Sequence, residues 1–300
     1  MRKLVLNIVL FFAAFGTFCG AAVIGSRYVP TLENWLWGKS SAHGSTNLRI
    51  PEFVEWSEAN PSPDILFLGS STCYRGINPA RFDAFGWASF NLCSSAQPLA
   101  TTQFILDFST QHSAPNMLIL DVYEGVMNGT FYQSRRDHIL SNNLVGHQAF
   151  QQMARSSGDP FLYMQAKYFA WKRKAAPLPP LWPGSTDHYV GRGFVESTRE
   201  VQDIPPCKHD QTALHAENIE ALDYIKERCE ELGVQLVLLA PPMTCTGELY
   251  WPEAFSDFLR IDGNDWPGSK VDTMYYDDHH LRAIGAKLYS DWLGKELLKL

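Results

Sequence analysis

The chain has no basic excess. Its 25 lysines and arginines are outnumbered by 32 acidic residues, for a formal net charge of −7. Nothing in that balance suits a nucleic-acid backbone. Metal-ligand cysteine spacing is missing as well. None of the six cysteines forms a Cys-x-x-Cys pair, so neither a zinc site nor a redox dithiol is expected. A lipoprotein signature is also lacking, because Phe18 stands where a small residue should precede Cys19.

What is present begins at the amino terminus. Met1-Arg2-Lys3 supplies positive charge ahead of an apolar run from Leu4 to Ile24, interrupted only by Asn7 and Thr17. About 20 apolar residues suffice to cross a bilayer as a helix. Basic residues on the leading side keep that end cytoplasmic and send the rest outward. A cleaved signal peptide, cut near Ala21-Ala22, is the rival; the run is longer than a usual signal core, which favours an uncleaved anchor. The expected organisation is a single-pass transmembrane anchor at 1–26, an irregular connector at 27–61 packing on the domain edge, and an extracytoplasmic domain at 62–300. That domain carries an insertion or lid at about 130–210. With 300 residues, 45% of them hydrophobic, it can bury a sizeable core.

Short apolar runs at Ile65–Leu68, 88–92, 117–122 and 234–240 read as strands. Asn78-Pro79 reads as a helix start. Helical spacing covers 99–112, 135–156, 161–174, 212–232 and the stretch from Leu281 to the end, with Gly233 as a C-cap. A proline-rich break spans 177–183, and the aromatic, basic segment before it is expected to pack on the domain with a solvated charged end, the alternative being a helix resting on the membrane surface near the anchor. Alternating strands and helices predict an α/β fold with a mostly parallel sheet and helices on both faces. The site of such a sheet lies at the carboxyl ends of its strands, here near Gly69, Asn91, Tyr123 and Pro241. Cys73 and Cys93 each follow a predicted strand, so a disulfide is geometrically possible if those strands are neighbours.

Two stretches carry chemistry. Gly69-Ser70-Ser71 ends the first strand, where a tight turn can lift a hydroxyl above the sheet. Asp277-x-x-His280 precedes the last helix, close enough for a carboxylate to orient an imidazole. A serine hydroxyl needs such a base to become a nucleophile. His279 has no acid three residues before it, since Tyr276 stands there. Asp278, His279 and the other histidines are not expected to hold a metal, nor is a cofactor expected. Arg75 and Arg282 are read as solvated surface arginines rather than anion-binding groups.

Gly69-Ser70-Ser71, Asp277-x-x-His280-Leu281, Gly285 and Pro241-Pro242 together resemble the SGNH (GDSL-type) hydrolase superfamily over roughly residues 62 to 300. The resemblance implies a three-layer, flavodoxin-like fold with Ser71 as nucleophile, His280 as base and Asp277 as its orienting acid; Ser70 is the second choice for the nucleophile. It implies oxyanion donors at the Ser71 amide, at the loop after the second strand, where Ser94 stands in place of glycine, and after the third strand, where Asn128 is the nearest candidate. The combination of an amino-terminal helix, a Gly-Ser-Ser turn and no Gly-x-Asn-Asp block is similar to membrane-anchored members that transfer D-alanine to teichoic acids or acetylate alginate and other exopolysaccharides. For this chain that implies a serine acyltransferase or esterase acting on acyl groups of a surface polysaccharide, with a multi-spanning acyltransferase as possible partner. A non-catalytic adaptor that binds glycan or that partner is the alternative.

Overall fold

The computed structural model describes residues 2–37, 46–129, 132–141, 148–172, 186–201, 203–204, 206–209, 213–247 and 249–300. Its strands are β1 (Ile65–Leu68), β2 (Ser89–Asn91), β3 (Met117–Asp121), β4 (Asp187–Gly191), β5 (Phe194–Ser197), β6 (Gln235–Ala240) and β7 (Leu259–Asp262). Five of them form one parallel sheet in the order β2-β1-β3-β6-β7, while β4 and β5 pair as an antiparallel hairpin.

The apolar runs of β1, β3 and β6 are buried on both faces, as central parallel strands require. Side chains alternate. Leu66, Leu68, Leu118, Leu120 and Leu238 enter one core, whereas Ile65, Phe67, Ile119, Val237 and Leu239 enter the other.

Helices cover both faces. α1 (Arg2–Ser26) is exposed along nearly its whole length and is long and apolar enough to cross a membrane. α2 (Pro30–Trp37) and α3 (Thr46–Ala59) follow, so the described part of the connector is mostly helical rather than irregular. α3 belongs to the core: Ile50 and Phe53 are fully buried, with the Phe53 ring 5.2 Å from Phe90 and 6.1 Å from Phe108. α4 (Ser71–Gly76) leaves β1 directly and is followed by a 3-10 turn, Pro79–Phe85, capped by the Asn78 side chain. α5 (Leu99–Thr110) and the short α6 (Glu124–Met127) flank β3.

The described part of the 130–210 segment is built into the fold rather than laid over it as a lid. It comprises α7 (Tyr132–Ser141), α8 (Gln148–Ser156), α9 (Pro160–Lys172) and the β4–β5 hairpin. Phe150, Met153, Leu162 and Ala166 join the first core, and Phe194 and Val195 join the second. The proline-rich break at 177–183, the end of the basic cluster at 173–174 and the expected helix start at 212 lie outside the described residues. α10 (Ala216–Leu232) ends at Gly233 in the left-handed conformation, and α11 (Ala283–Leu297) closes the second face.

Cys73 pairs with Cys93 and Cys207 with Cys245, at Cα separations of 6.0 and 4.6 Å. The first bridge ties α4 to the segment after β2, which neighbours β1 in the sheet. Cys19 and Cys229 are free thiols.

Candidate active site

The site begins where β1 runs out. Gly69 has φ +146°, a conformation that side chains disfavour, and a Cβ there would come within 2.4 Å of the Asp121 Cβ. This tight crossing brings the chain from β1 into α4 beside the end of β3. Ser70 is extended and fully buried. Its N–H and its hydroxyl both donate to Asp121 Oδ2, at 2.9 and 2.8 Å. Thr72 Oγ1 donates to the same carboxylate at 3.0 Å. Asp121 therefore grips the residues on either side of Ser71. Burial pushes its carboxyl up to about 6, although the Ser70 and Thr72 hydrogen bonds pull the other way.

Ser71 opens α4, and its hydroxyl meets His280. Ser71 Oγ and His280 Nε2 are 2.8 Å apart, and His280 Nδ1 is 2.7 Å from Asp277 Oδ2. The second Asp277 oxygen accepts the backbone N–H groups of His279 and His280, at 3.1 and 2.7 Å. An ionised carboxylate only accepts, so the His280 proton sits on Nδ1 and Nε2 is left to accept from Ser71. Burial lowers the His280 pKa to about 4 against the opposing pull of Asp277. Burial would raise Asp277, but its hydrogen bond and charge interaction with His280 hold it at about 2. A neutral base and an ionised orienter result.

Local folding explains how a loop holds this geometry. The chain turns back between Tyr275 and Leu281, with the Tyr276 N–H donating to the His280 carbonyl at 3.1 Å. α11 then passes so close that a Cβ on Gly285 would lie 2.4 Å from the Met274 carbonyl oxygen. The Tyr276 ring stacks on His280 at 5.4 Å, and Tyr123 stacks on His279 at 4.9 Å.

The structure thus joins Ser71, His280 and Asp277 in one hydrogen-bonded chain and turns the Ser70 hydroxyl to Asp121 instead. The oxyanion candidates divide. As the first residue of α4, Ser71 has no intrahelical acceptor for its N–H. Ser94 corrects the expectation made for it: its N–H donates to the Gly69 carbonyl at 2.9 Å. Its hydroxyl lies in a buried cluster with Gln97 and His138. Both groups are engaged because this loop knits β2 to β1. Asn128 is exposed at the C-cap of α6.

Arg75 is also corrected. Its side chain is only 12% exposed and forms a bidentate pair with Asp187 of β4, at 2.8 and 2.9 Å. It lies against the Tyr276 ring, which anchors the hairpin beside the site. Arg282 donates to the carbonyl of Arg199 at 3.0 Å. Asp277, His279 and His280 carry possible metal-ligand atoms within 4.8 Å of one another. Both ring nitrogens of His280 are nevertheless engaged, by Asp277 and Ser71. A small cavity of about 20 Å³ lies beyond the ends of β3 and β6, walled by Val122, Glu124, Met127, Leu214, Ala240 and Trp251 among others, and neither Ser71 nor His280 lines it.

Sequence reasoning missed Asp121, Asp187 and Tyr276. Only Asp121 left a signal, as the one charged residue closing an apolar strand. The chain matches no protein-family model, and no curated protein matches it at a significant level.

Proposed function

We propose that this protein is a membrane-anchored, extracytoplasmic serine acyltransferase or esterase that works through an acyl-enzyme on Ser71. The observation that carries the reading is the unbroken chain from Ser71 Oγ through the His280 ring to Asp277.

In this mechanism Ser71 Oγ attacks the ester carbonyl of the acyl donor while its proton passes to His280 Nε2. Asp277 stays ionised and stabilises the imidazolium. The Ser71 N–H, at the start of α4, is the donor offered to the oxyanion. Collapse breaks the bond to the leaving alkoxide, which takes the proton back from His280. A hydroxyl acceptor, sugar or water, is then deprotonated by His280 and attacks the acyl-serine, which restores the free serine.

Outward placement rests on Arg2 and Lys3 at the start of α1, ahead of its apolar run, and on two disulfides, which persist in oxidising compartments. Polysaccharide as acceptor rests on the resemblance to anchored SGNH members, as does a multi-spanning acyltransferase as donor partner. The second reading is an adaptor without turnover, favoured by the engagement of the Ser94 amide.

The test is intact-mass spectrometry of the full chain after incubation with p-nitrophenyl acetate. The proposal expects a 1:1 acetyl adduct on Ser71 that disappears faster when an oligosaccharide acceptor is added, for a transferase, or at the same rate without it, for an esterase. A folded chain that never acquires the adduct contradicts catalysis and leaves the adaptor.

A further inference from the structure

The end of α1 does not leave the domain on a free tether. Ser26, its last residue, is buried, and its hydroxyl lies 3.0 Å from the hydroxyl of Tyr168 on α9. One residue on, the Arg27 guanidinium sits over the Trp171 ring at 4.7 Å. Val23 of α1 and Leu36 of α2 also pack against the first core. The point where the chain leaves the apolar helix is therefore fixed against α9.

The surface around that point is apolar and aromatic. Phe161, Met164, Tyr168 and Trp171 follow one another at spacings of three or four residues, so they share one stripe of α9. Tyr168, which α1 covers, is buried, while Met164 is 50% and Trp171 43% exposed. Ser26 meets Tyr168 and Arg27 meets Trp171, so the end of α1 is seated on this stripe. Met164 and Phe161 continue the same stripe of α9 beyond Tyr168, and both are exposed. On the other flank Tyr28 is 73% and Trp35 of α2 79% exposed. Large aromatics with an arginine at the mouth of an apolar helix are the composition that settles at the level of lipid headgroups.

We propose that α2 and the exposed stripe of α9 lie in the interfacial layer of the bilayer that α1 crosses, so that the domain is held against the membrane surface in one orientation. The proposal rests on the reading of α1 as an anchor. A lipid surface is favoured over a protein partner because the patch adjoins the membrane segment on both flanks, so the bilayer meets it without any further binding event.

The test uses the full chain in phosphatidylcholine nanodiscs whose lipids carry bromine at a shallow or a deep acyl position. Bromine quenches tryptophans that reach it. The chain has nine tryptophans, so the comparison is between wild type, the double variant Trp35→Phe/Trp171→Phe, and Trp292→Phe on the opposite face of the sheet. The proposal expects shallow bromine to quench more than deep bromine. It also expects the quenched emission to fall in the double variant, because two interfacial tryptophans are removed, and to stay at the wild-type level in Trp292→Phe. An equal quenched fraction in all three proteins would overturn it and leave the patch to a protein partner. Failure of the chain to enter the discs at all would overturn the anchor and this proposal with it, a result separate from the quenching pattern.

Discussion

Asp121 and Ser70 are joined twice: one carboxylate oxygen accepts both the N–H and the hydroxyl of Ser70, at 2.9 and 2.8 Å. The buried end of β3 thereby fixes the turn that presents Ser71. Because burial raises the folded pKa of Asp121 from 3.8 to about 6, the folded state favours the protonated form. The corresponding stability is present below pH 3.8 and is lost as pH rises through 6, a change of about 3 kcal/mol. Asp121→Asn should abolish this component while keeping the shape of the clamp. Denaturant unfolding at pH 4 and pH 7 checks it: the difference between variant and wild type should shift toward the variant at pH 7. An offset equal at both pH values would contradict the assignment.

The acid limb of catalysis follows from His280. Its pKa is lowered to about 4, so the neutral base persists well below the ordinary histidine range. The kcat/KM for ester turnover should therefore stay level from pH 7 to about 5 and fall through pH 4, with Asp277 ionised throughout. Asp277→Asn should reduce kcat by roughly 1,000- to 10,000-fold, because the imidazole loses its orienting acceptor and takes the wrong tautomer. A limb near pH 6.5 would show that His280 is not the group titrating.

Arg75 and Asp187 tie the β4–β5 hairpin to α4 through a mostly buried pair. Asp187→Asn should destabilise the protein by about 3 kcal/mol, because it leaves the Arg75 charge poorly solvated and without its ionic partner. Arg199 touches the same carboxylate at 3.2 Å but is 42% exposed, so Arg199→Ala should cost under about 1 kcal/mol. Thermal melts of both variants separate the two cases.

The Cys73–Cys93 bridge spans 20 residues and ends two residues past Ser71. Its removal by Cys73→Ser/Cys93→Ser should cost about 3 kcal/mol of stability. It should also lower activity below the optimum by loosening α4. Melting curves and turnover, each with and without reductant, test this. Reductant should have little further effect on the first bridge's share in the double variant, while the Cys207–Cys245 share remains.

The parts of the fold legible from the chain were those in which burial leaves an uninterrupted apolar run. Ile65–Leu68 is such a run, and its bounds in the structure are the ones the sequence indicates. β7 is the contrary case: a four-residue edge strand, exposed at Leu259 and Arg260, carries no run to detect. α3 was hidden by Pro51 inside it and by Arg49, a charged residue that is buried because its guanidinium donates to the Gly193 carbonyl, 144 residues away. The hairpin takes its place from the Arg75–Asp187 pair, a long-range contact with no local pattern. At the site, the Asp277 and His280 spacing was readable because both partners lie in one short loop. Asp121 was not, since its role exists only once β3 lies beside β1.

The most direct measurement is labelling of the full chain with a serine-reactive fluorophosphonate, in wild type, Ser71→Ala and Ser70→Ala. The Ser71–His280 contact predicts one label per chain in wild type, lost in Ser71→Ala and retained in Ser70→Ala, because the Ser71 hydroxyl meets the His280 ring while the Ser70 hydroxyl is held by Asp121. A folded wild-type chain that takes no label, or a label that survives in Ser71→Ala, would contradict it.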